Sequence, residues 1–275
     1  MKSIHIVEAS LPLAWERAVL ACWADGDRFR TEYDAPGQPE SRDVSCLVHV
    51  TAPFDEPRIH RAFPGGLDDL EKYVCEVLYG VHDHWIDPAA GKWEYTYHER
   101  LFEYRVPERG ACDQIAAVIE KLHAAPHTRR AQAVTWQVWN DTNIDDPACL
   151  QRLWFRIADG RLNMNVHMRS NDAFKAAFMN MYAFTELQRM VAEALDVAPG
   201  EYMHLCDSFH IYGSDFGEFE GFLKTVEARE FDDRVYTSEF AKVFFADGLA
   251  ALAAEDDMPA DKKALVEARR VALGL

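Results

Sequence analysis

The chain is poor in positive charge. Among its 275 residues, 29 lysines and arginines stand against 46 aspartates and glutamates, a formal net charge of −17. Such an excess repels a polyanion and argues against a general nucleic-acid binder. It leaves room for a mononucleotide, whose phosphate needs only a local cluster of arginines. No window approaches the roughly 18 apolar residues that span a bilayer, and the opening MKSIHIVEASLPLAW lacks a signal-peptide core and cleavage site. Neither a membrane nor an export route is therefore expected. The six cysteines (22, 46, 75, 112, 149, 206) are dispersed without a CxxC pair, so free thiols in a reducing cytoplasm are expected rather than disulfides. His82, His84 and His98, with Asp83 and Asp87, lack a third and fourth ligand at zinc-like spacing, and no metal is expected. No repeat, low-complexity stretch or linker divides the chain. With 49% hydrophobic and 27% charged residues it reads as one globular domain, residues 1–275.

Periodicity predicts a mixed α/β (α+β) domain. Apolar alternation begins at Ser3 and turns helical from Trp15 to Trp23; the Pro/Gly-rich stretch 34–45 is a loop leading into a strand over Cys46–Val50. Helical spacing follows over Leu67–Tyr79 and Gln114–His123, the latter stopped near Pro126. Strands are expected over Ala133–Val138, Leu150–Ile157 and Leu162–Met168, the last two joined by the turn Ala158-Asp159-Gly160. Ala173–Leu195 is apolar on all sides, which predicts a long, buried central helix. Gly221–Glu230, Phe240–Ala253 and a final segment after EDDMPADKK read as helices.

The chemistry-bearing residues concentrate between Asp145 and Tyr212. Cys149 lies between a polar loop (NDTNIDDPA) and an apolar strand, as a nucleophile at a strand edge would; the other five cysteines read as packed core thiols. Nucleophilic use requires a thiolate, hence positive charge nearby, and Arg169 supplies it if the two strands are adjacent. An Arg-Ser-x-Asp turn follows (Arg169, Ser170, Asp172). Asn180 sits in the apolar helix, where a buried amide must find partners or cost roughly 1–3 kcal/mol. His210 and Tyr212 form a His-x-Tyr pair, and Arg129-Arg130 is a paired cation that, alone, reads as a solvated corner.

Taken together, PACLQRLWFRIADGRLNMNVHMRSND, PGEYMHL followed by HIY, DQIAAVIEKLHAAPHTRR and Glu76 in KYVCEVLYG resemble the thymidylate synthase and pyrimidine-nucleotide hydroxymethylase superfamily, in register from about Tyr97 to Tyr212. The resemblance implies a three-layer fold of that type, with a mixed sheet and a long buried central helix. It also implies a homodimer with shared active sites that binds a pyrimidine nucleoside 5′-monophosphate and 5,10-methylenetetrahydrofolate. Carried over by position, Cys149 adds to C6 of the base. Arg169 and Ser170 hold the phosphate with Arg129 and Arg130 of the second subunit, whose planar guanidinium forks suit a phosphate dianion. Asn180 pairs with the base, while His210 and Tyr212 hold the ribose hydroxyl. Asp172 meets the pterin, Glu76 orders water for proton transfers, and Tyr97 stands near the nucleophile. Arg42 is the candidate for a further phosphate arginine.

The departures bear on the product. Thymidylate synthases keep a histidine after the nucleophile and a glutamine before the Arg-Ser pair, where this chain has Leu150 and Met168; Ser208 replaces an aspartate, with Asp207 one place earlier. The tryptophan segment is reduced to VHDHWIDP, and the C-terminus VEARRVALGL does not resemble the tail that seals the synthase site. A site that admits water yields a hydroxymethyl product, and one that excludes it yields a methyl product. The expectation is a folate-dependent 5-hydroxymethylase of CMP or dCMP. The alternatives are a divergent synthase methylating dUMP, a dUMP hydroxymethylase, and a catalytically silent relative.

Overall fold

In a computed structural model covering residues 1–275, the first strand, β1 (Ser3–Glu8), is followed by α1 (Leu11–Asp25), β2 (Asp27–Phe29) and β3 (Ser41–Val50). Next come β4 (Ile59–His60), α2 (Leu67–Tyr79), α3 (Tyr97–Phe102) and the small hairpin β5 (Tyr104–Val106) with β6 (Gly110–Cys112). The middle of the chain forms α4 (Gln114–Ala124), β7 (Gln132–Val134), α5 (Val138–Asp141), β8 (Leu150–Ala158) and β9 (Arg161–Asp172). The last third holds α6 (Ala177–Ala194), β10 (Ala198–Ile211), α7 (Phe216–Ala228), β11 (Val235–Tyr236), α8 (Ser238–Ala253) and α9 (Ala260–Ala272).

The main sheet runs β1-β3-β10-β9-β8-β7, with β2 on β3. It is mixed: β1/β3 and β10/β9 are parallel, while β3/β10, β9/β8 and β8/β7 are antiparallel. Side chains alternate as a strand requires. β9 buries Leu162, Met164, Val166 and Met168 and leaves Asn163, Asn165 and His167 partly exposed on the other face. The buried face carries α1 and α6; α2 packs on α6, and α8 and α9 pack beyond α2. This is the expected layering. α6 is the central helix, with Phe178, Met181, Phe184 and Leu187 all within 1% exposure. No helix is long and apolar enough to cross a membrane.

Several boundaries differ from expectation. The Arg-Ser-x-Asp segment is not a turn: β9 continues through Asp172, and the turn falls on residues 173–176 instead. Asp172 causes the break, its Oδ1 accepting from the backbone N–H groups of Phe174 and Lys175 at 3.0 and 2.9 Å. β3 begins at Ser41, inside the expected loop, because Arg42 and Asp43 find partners on β2 and β10. The strand expected over 133–138 ends at Val134, and Val138 opens a short helix. α7 begins at Phe216, since Phe219 must reach the core. Cys112 is exposed on β6 rather than packed, whereas Cys22, Cys46, Cys75 and Cys206 are buried.

Candidate active site

Strand pairing brings Cys149 to Arg169. Leu150 is paired with Met168 across β8/β9, so the residues just outside that pair meet: the Arg169 N–H donates to the Cys149 carbonyl at 2.9 Å. The Arg169 guanidinium then braces the preceding loop, Nε donating to the Ala148 carbonyl at 3.1 Å and Nη2 to that of Pro147 at 2.5 Å. The adjacency that spacing alone left open is thus present. Leu150 and Met168 are both fully buried and directly opposed. Two polar positions of the resembled family are therefore apolar together here, and neither leaves an orphaned buried group.

Cys149 opens into a cleft of about 670 Å³ that also carries Arg169, Ser170, Ser208, His210 and Tyr212. The rest of its wall is largely acidic: Thr31, Glu32 and Tyr33 from the β2–β3 connection, Asp145 and Asp146 from the loop before Cys149, and Asp43 from β3. Tyr33 packs edge-on to Tyr212 at 6.2 Å. One arginine faces four carboxylates, and burial keeps the Cys149 thiol above the ordinary cysteine range although Arg169 pulls it down. The expectation of a lowered thiol pKa does not hold within one protomer.

Asp145 and Asp146 also border a second cleft, about 490 Å³, walled by Tyr73, Glu76, Trp93, Tyr95 and Tyr97 with Lys92 at its edge. Tyr95 links the two clefts, its hydroxyl accepting from the Cys149 N–H at 3.3 Å; its ring lies 5.7 Å from that of Tyr97. Flat aromatic walls suit a stacked heteroaromatic ring, while Glu76, Glu94, Asp145 and Asp146 outnumber the single Lys92 in this cleft. The aromatic walls therefore fit the ring of a folate.

Glu76 is held by His82, whose Nδ1 lies 2.8 Å from its Oε1, and the other ring nitrogen lies 3.2 Å from Glu255. The imidazole is stacked on Trp85 at 3.8 Å. Burial opposes its charge, but the two carboxylates outweigh that and hold its pKa above the usual histidine value. Gly80 caps α2 at φ 61°, and a Cβ there would collide with His98 and Asp83, so the glycine leaves room for that neighbouring pair. The three histidines considered for a metal turn to separate carboxylates: His82 to Glu76, His84 to Asp257 and His98 to Asp83.

The remaining expected site residues lie off the cleft surface. Asn180 is buried, its Oδ1 accepting from the Tyr73 hydroxyl at 2.5 Å. Asp172 sits beside His210 in register across β9/β10, its carboxyl raised chiefly by burial. Arg129 and Arg130 are exposed on the α4–β7 connection, where the Arg129 carbonyl accepts from Trp154. Arg42 packs its guanidinium over Trp23 at 5.3 Å and lines neither cleft. Residues not anticipated are Tyr73, Tyr95, His82, Asp43, Asp145 and Asp146, along with the hydroxyl of Ser208. Tyr73 was legible in principle, since it lies one turn before Glu76 on the same face of α2.

Fold and cleft together define a chain of the thymidylate synthase family, and it belongs there: the family model "Thymidylate synthase" matches residues 68–234, more than half of the sequence. A protein of Methanococcoides burtonii described as "Putative thymidylate synthase" is 30% identical over 214 residues, which are 78% of this chain and 92% of that protein. One of Methanosarcina barkeri with the same description is 34% identical over 70% of this chain and 83% of its own length. Among solved structures, thermostable thymidylate synthase A from Bacillus subtilis superposes with a TM-score of 0.61 at 19% identity, over 77% of this chain and 83% of that one.

Proposed function

We propose that the protein transfers a one-carbon unit from methylenetetrahydrofolate to C5 of a pyrimidine nucleoside 5′-monophosphate, cytidylate favoured, and leaves a hydroxymethyl group. The observation that carries this reading is the placement of Cys149 in a cleft beside Arg169, Ser170, His210 and Tyr212.

In this reading the Cys149 sulfur adds to C6 of the base, and C5 becomes the carbon nucleophile. Bound folate supplies the electrophilic one-carbon unit. Loss of the C5 proton and release of tetrahydrofolate would leave an exocyclic methylene on the base; water adds to its carbon, and departure of the sulfur from C6 restores the ring double bond. Burial raises the free thiol's pKa, so added positive charge would favour the thiolate. Arg129 and Arg130 of a second copy would supply that charge together with the phosphate contacts. The sheet face opposite the helices, which exposes Leu205 and leaves His167 partly open, is the surface available for such pairing. Glu76, oriented by His82, borders the second cleft and is suited to order water there.

Two features support water capture. The residues of α9 line neither cleft; Arg269 of that helix is bound instead to Glu71 and Glu186. Trp85 is engaged by His82 and by Asp257, to which its Nε1 donates at 3.0 Å, so it forms no wall over Cys149. Asn180, whose Oδ1 accepts from the Tyr73 hydroxyl, lies off both cleft surfaces and does not by itself choose between cytosine and uracil. The names carried by the archaeal relatives favour the other reading, methylation of dUMP.

Incubation with methylenetetrahydrofolate and each of CMP, dCMP, UMP and dUMP, followed by mass analysis of the base, separates these outcomes. A gain of CH₂O with tetrahydrofolate released is expected. A gain of CH₂ with dihydrofolate formed would establish the synthase reading instead.

A further inference from the structure

The rim of the Cys149 cleft holds two buried polar atoms with no protein partner, on residues paired across neighbouring strands. His210 on β10 is opposite Asp43 on β3 and Asp172 on β9, so the three side chains form a row across the sheet. His210 is 6% exposed; its Nδ1 faces the Ser208 hydroxyl and carbonyl at 3.4 and 3.3 Å, and its Nε2 has no hydrogen-bond partner. Asp43 accepts from the Ser208 hydroxyl at 2.5 Å through Oδ2, and its buried Oδ1 has no partner. All three residues line the cleft with Cys149 and Tyr212.

The chemistry of that pair selects its ligand. An ionised carboxylate only accepts, so Asp43 Oδ1 calls for an O–H or N–H donor. A phosphate is repelled there. The one cation lining this cleft, Arg169, already donates its Nε and Nη2 to backbone carbonyls. Two hydroxyls on adjacent carbons satisfy both atoms at once, one meeting His210 Nε2 and the other donating to Asp43 Oδ1. A sugar with a single hydroxyl leaves the carboxylate oxygen orphaned, and a site built to bind a hydroxyl rejects the analogue that lacks it.

We propose that Asp43, braced by Ser208, reads the 2′-hydroxyl beside the 3′-hydroxyl held by His210, so that the substrate is a ribonucleoside rather than a 2′-deoxyribonucleoside 5′-monophosphate. This rests on the nucleotide-binding reading of the cleft. Titration calorimetry of the protein without folate, against CMP, dCMP, UMP and dUMP, tests it separately from turnover. Each ribonucleotide is expected to bind about 10–100-fold more tightly than its deoxy counterpart. Asp43→Asn, which removes one acceptor, and Ser208→Ala, which frees the carboxylate, should each bring that ratio toward one. Equal or tighter deoxynucleotide binding by the wild-type protein overturns the inference. So does an Asp43→Asn protein, folded by its melting curve, that weakens both sugars by the same factor. Binding without sugar preference removes this inference alone, whereas no binding by any of the four removes the nucleotide reading as well.

Discussion

Two clusters of buried charge in this protein are built on opposite rules. Around Glu186 in α6, Arg58 donates Nη1 to the carboxylate at 2.7 Å, Nη2 to Thr185 at 3.0 Å and Nε to the Pro53 carbonyl at 3.1 Å. Arg189 and Arg269 each add a contact at 3.2 Å, so neither Arg58 nor Glu186 keeps a charged atom without a partner. On the Cys149 rim, by contrast, Asp43 and His210 each keep one open atom, and carboxylates outnumber the single arginine. In the first cluster the central Arg58–Glu186 pair is closed by the chain itself and only the peripheral Arg189 Nε stays open, whereas in the second the open atoms face the cleft. Saturation, rather than charge or burial alone, separates a charge kept for stability from one kept for binding.

The titration behaviour follows the same division. Burial raises the Glu186 carboxyl, but Arg58, Arg189 and Arg269 overcome it and hold the pKa at about 2. Its folded-state value lies below the unfolded one, so its stability is present above the ordinary carboxylate range and is lost as pH falls toward 2. Asp43 and Asp172 are raised, first by burial. Their sign is reversed, so the fold carries them at a cost once pH rises above the ordinary carboxylate range.

The largest expected effect breaks the binding side of the comparison. Cys149→Ala should lower turnover by about 10⁴-fold or more while nucleotide affinity and melting temperature hold; steady-state rates beside calorimetry decide it. Retained turnover would take the sulfur out of the chemistry. Next comes the structural side: Glu186→Ala strands Arg58 without its counter-charge and should cost about 3–5 kcal/mol, on the order of 10 °C in Tm. The loss should shrink when melts are repeated at progressively lower pH toward 2. A variant that melts like the parent would show that saturation carries no stability here. The smallest effect sharpens the contrast. Asp43→Asn relieves a buried carboxylate and should raise Tm at pH 7 by about 1–2 °C, and a fall of similar size would place Asp43 among the structural charges.

The layered α/β architecture was legible because its signals are long and redundant. α6 is apolar on every side, and β8, β9 and β10 each bury alternate residues. The cleft cysteine, its neighbouring arginine and the His-x-Tyr pair were legible because they sit at strand ends whose order matches a known pattern. What escaped depends on cross-strand register, which a single sequence does not display. Arg42 was expected to face a ligand from a loop, yet it lies on β3 and its neighbour Asp43 faces the cleft, since in a strand one step changes the face. A bulge in β10 between Cys206 and Phe209 shifts the pairing just there. Tyr95 and His82 escaped for a different reason: their partners lie far along the chain or in the C-terminal third.

The Glu76–His82–Glu255 clamp ties territory beyond the family match to territory within it. Glu255 lies past residue 234, where that match ends, yet it grips the imidazole that orients an acid lining the second cleft. A chain cut after residue 254 would keep every matched position and still surrender one jaw of that grip. The segment added at the end is therefore a neighbour of the second cleft as well as ballast for the fold, and a graft of the matched segment alone would inherit a Glu76 whose imidazole partner is loosened.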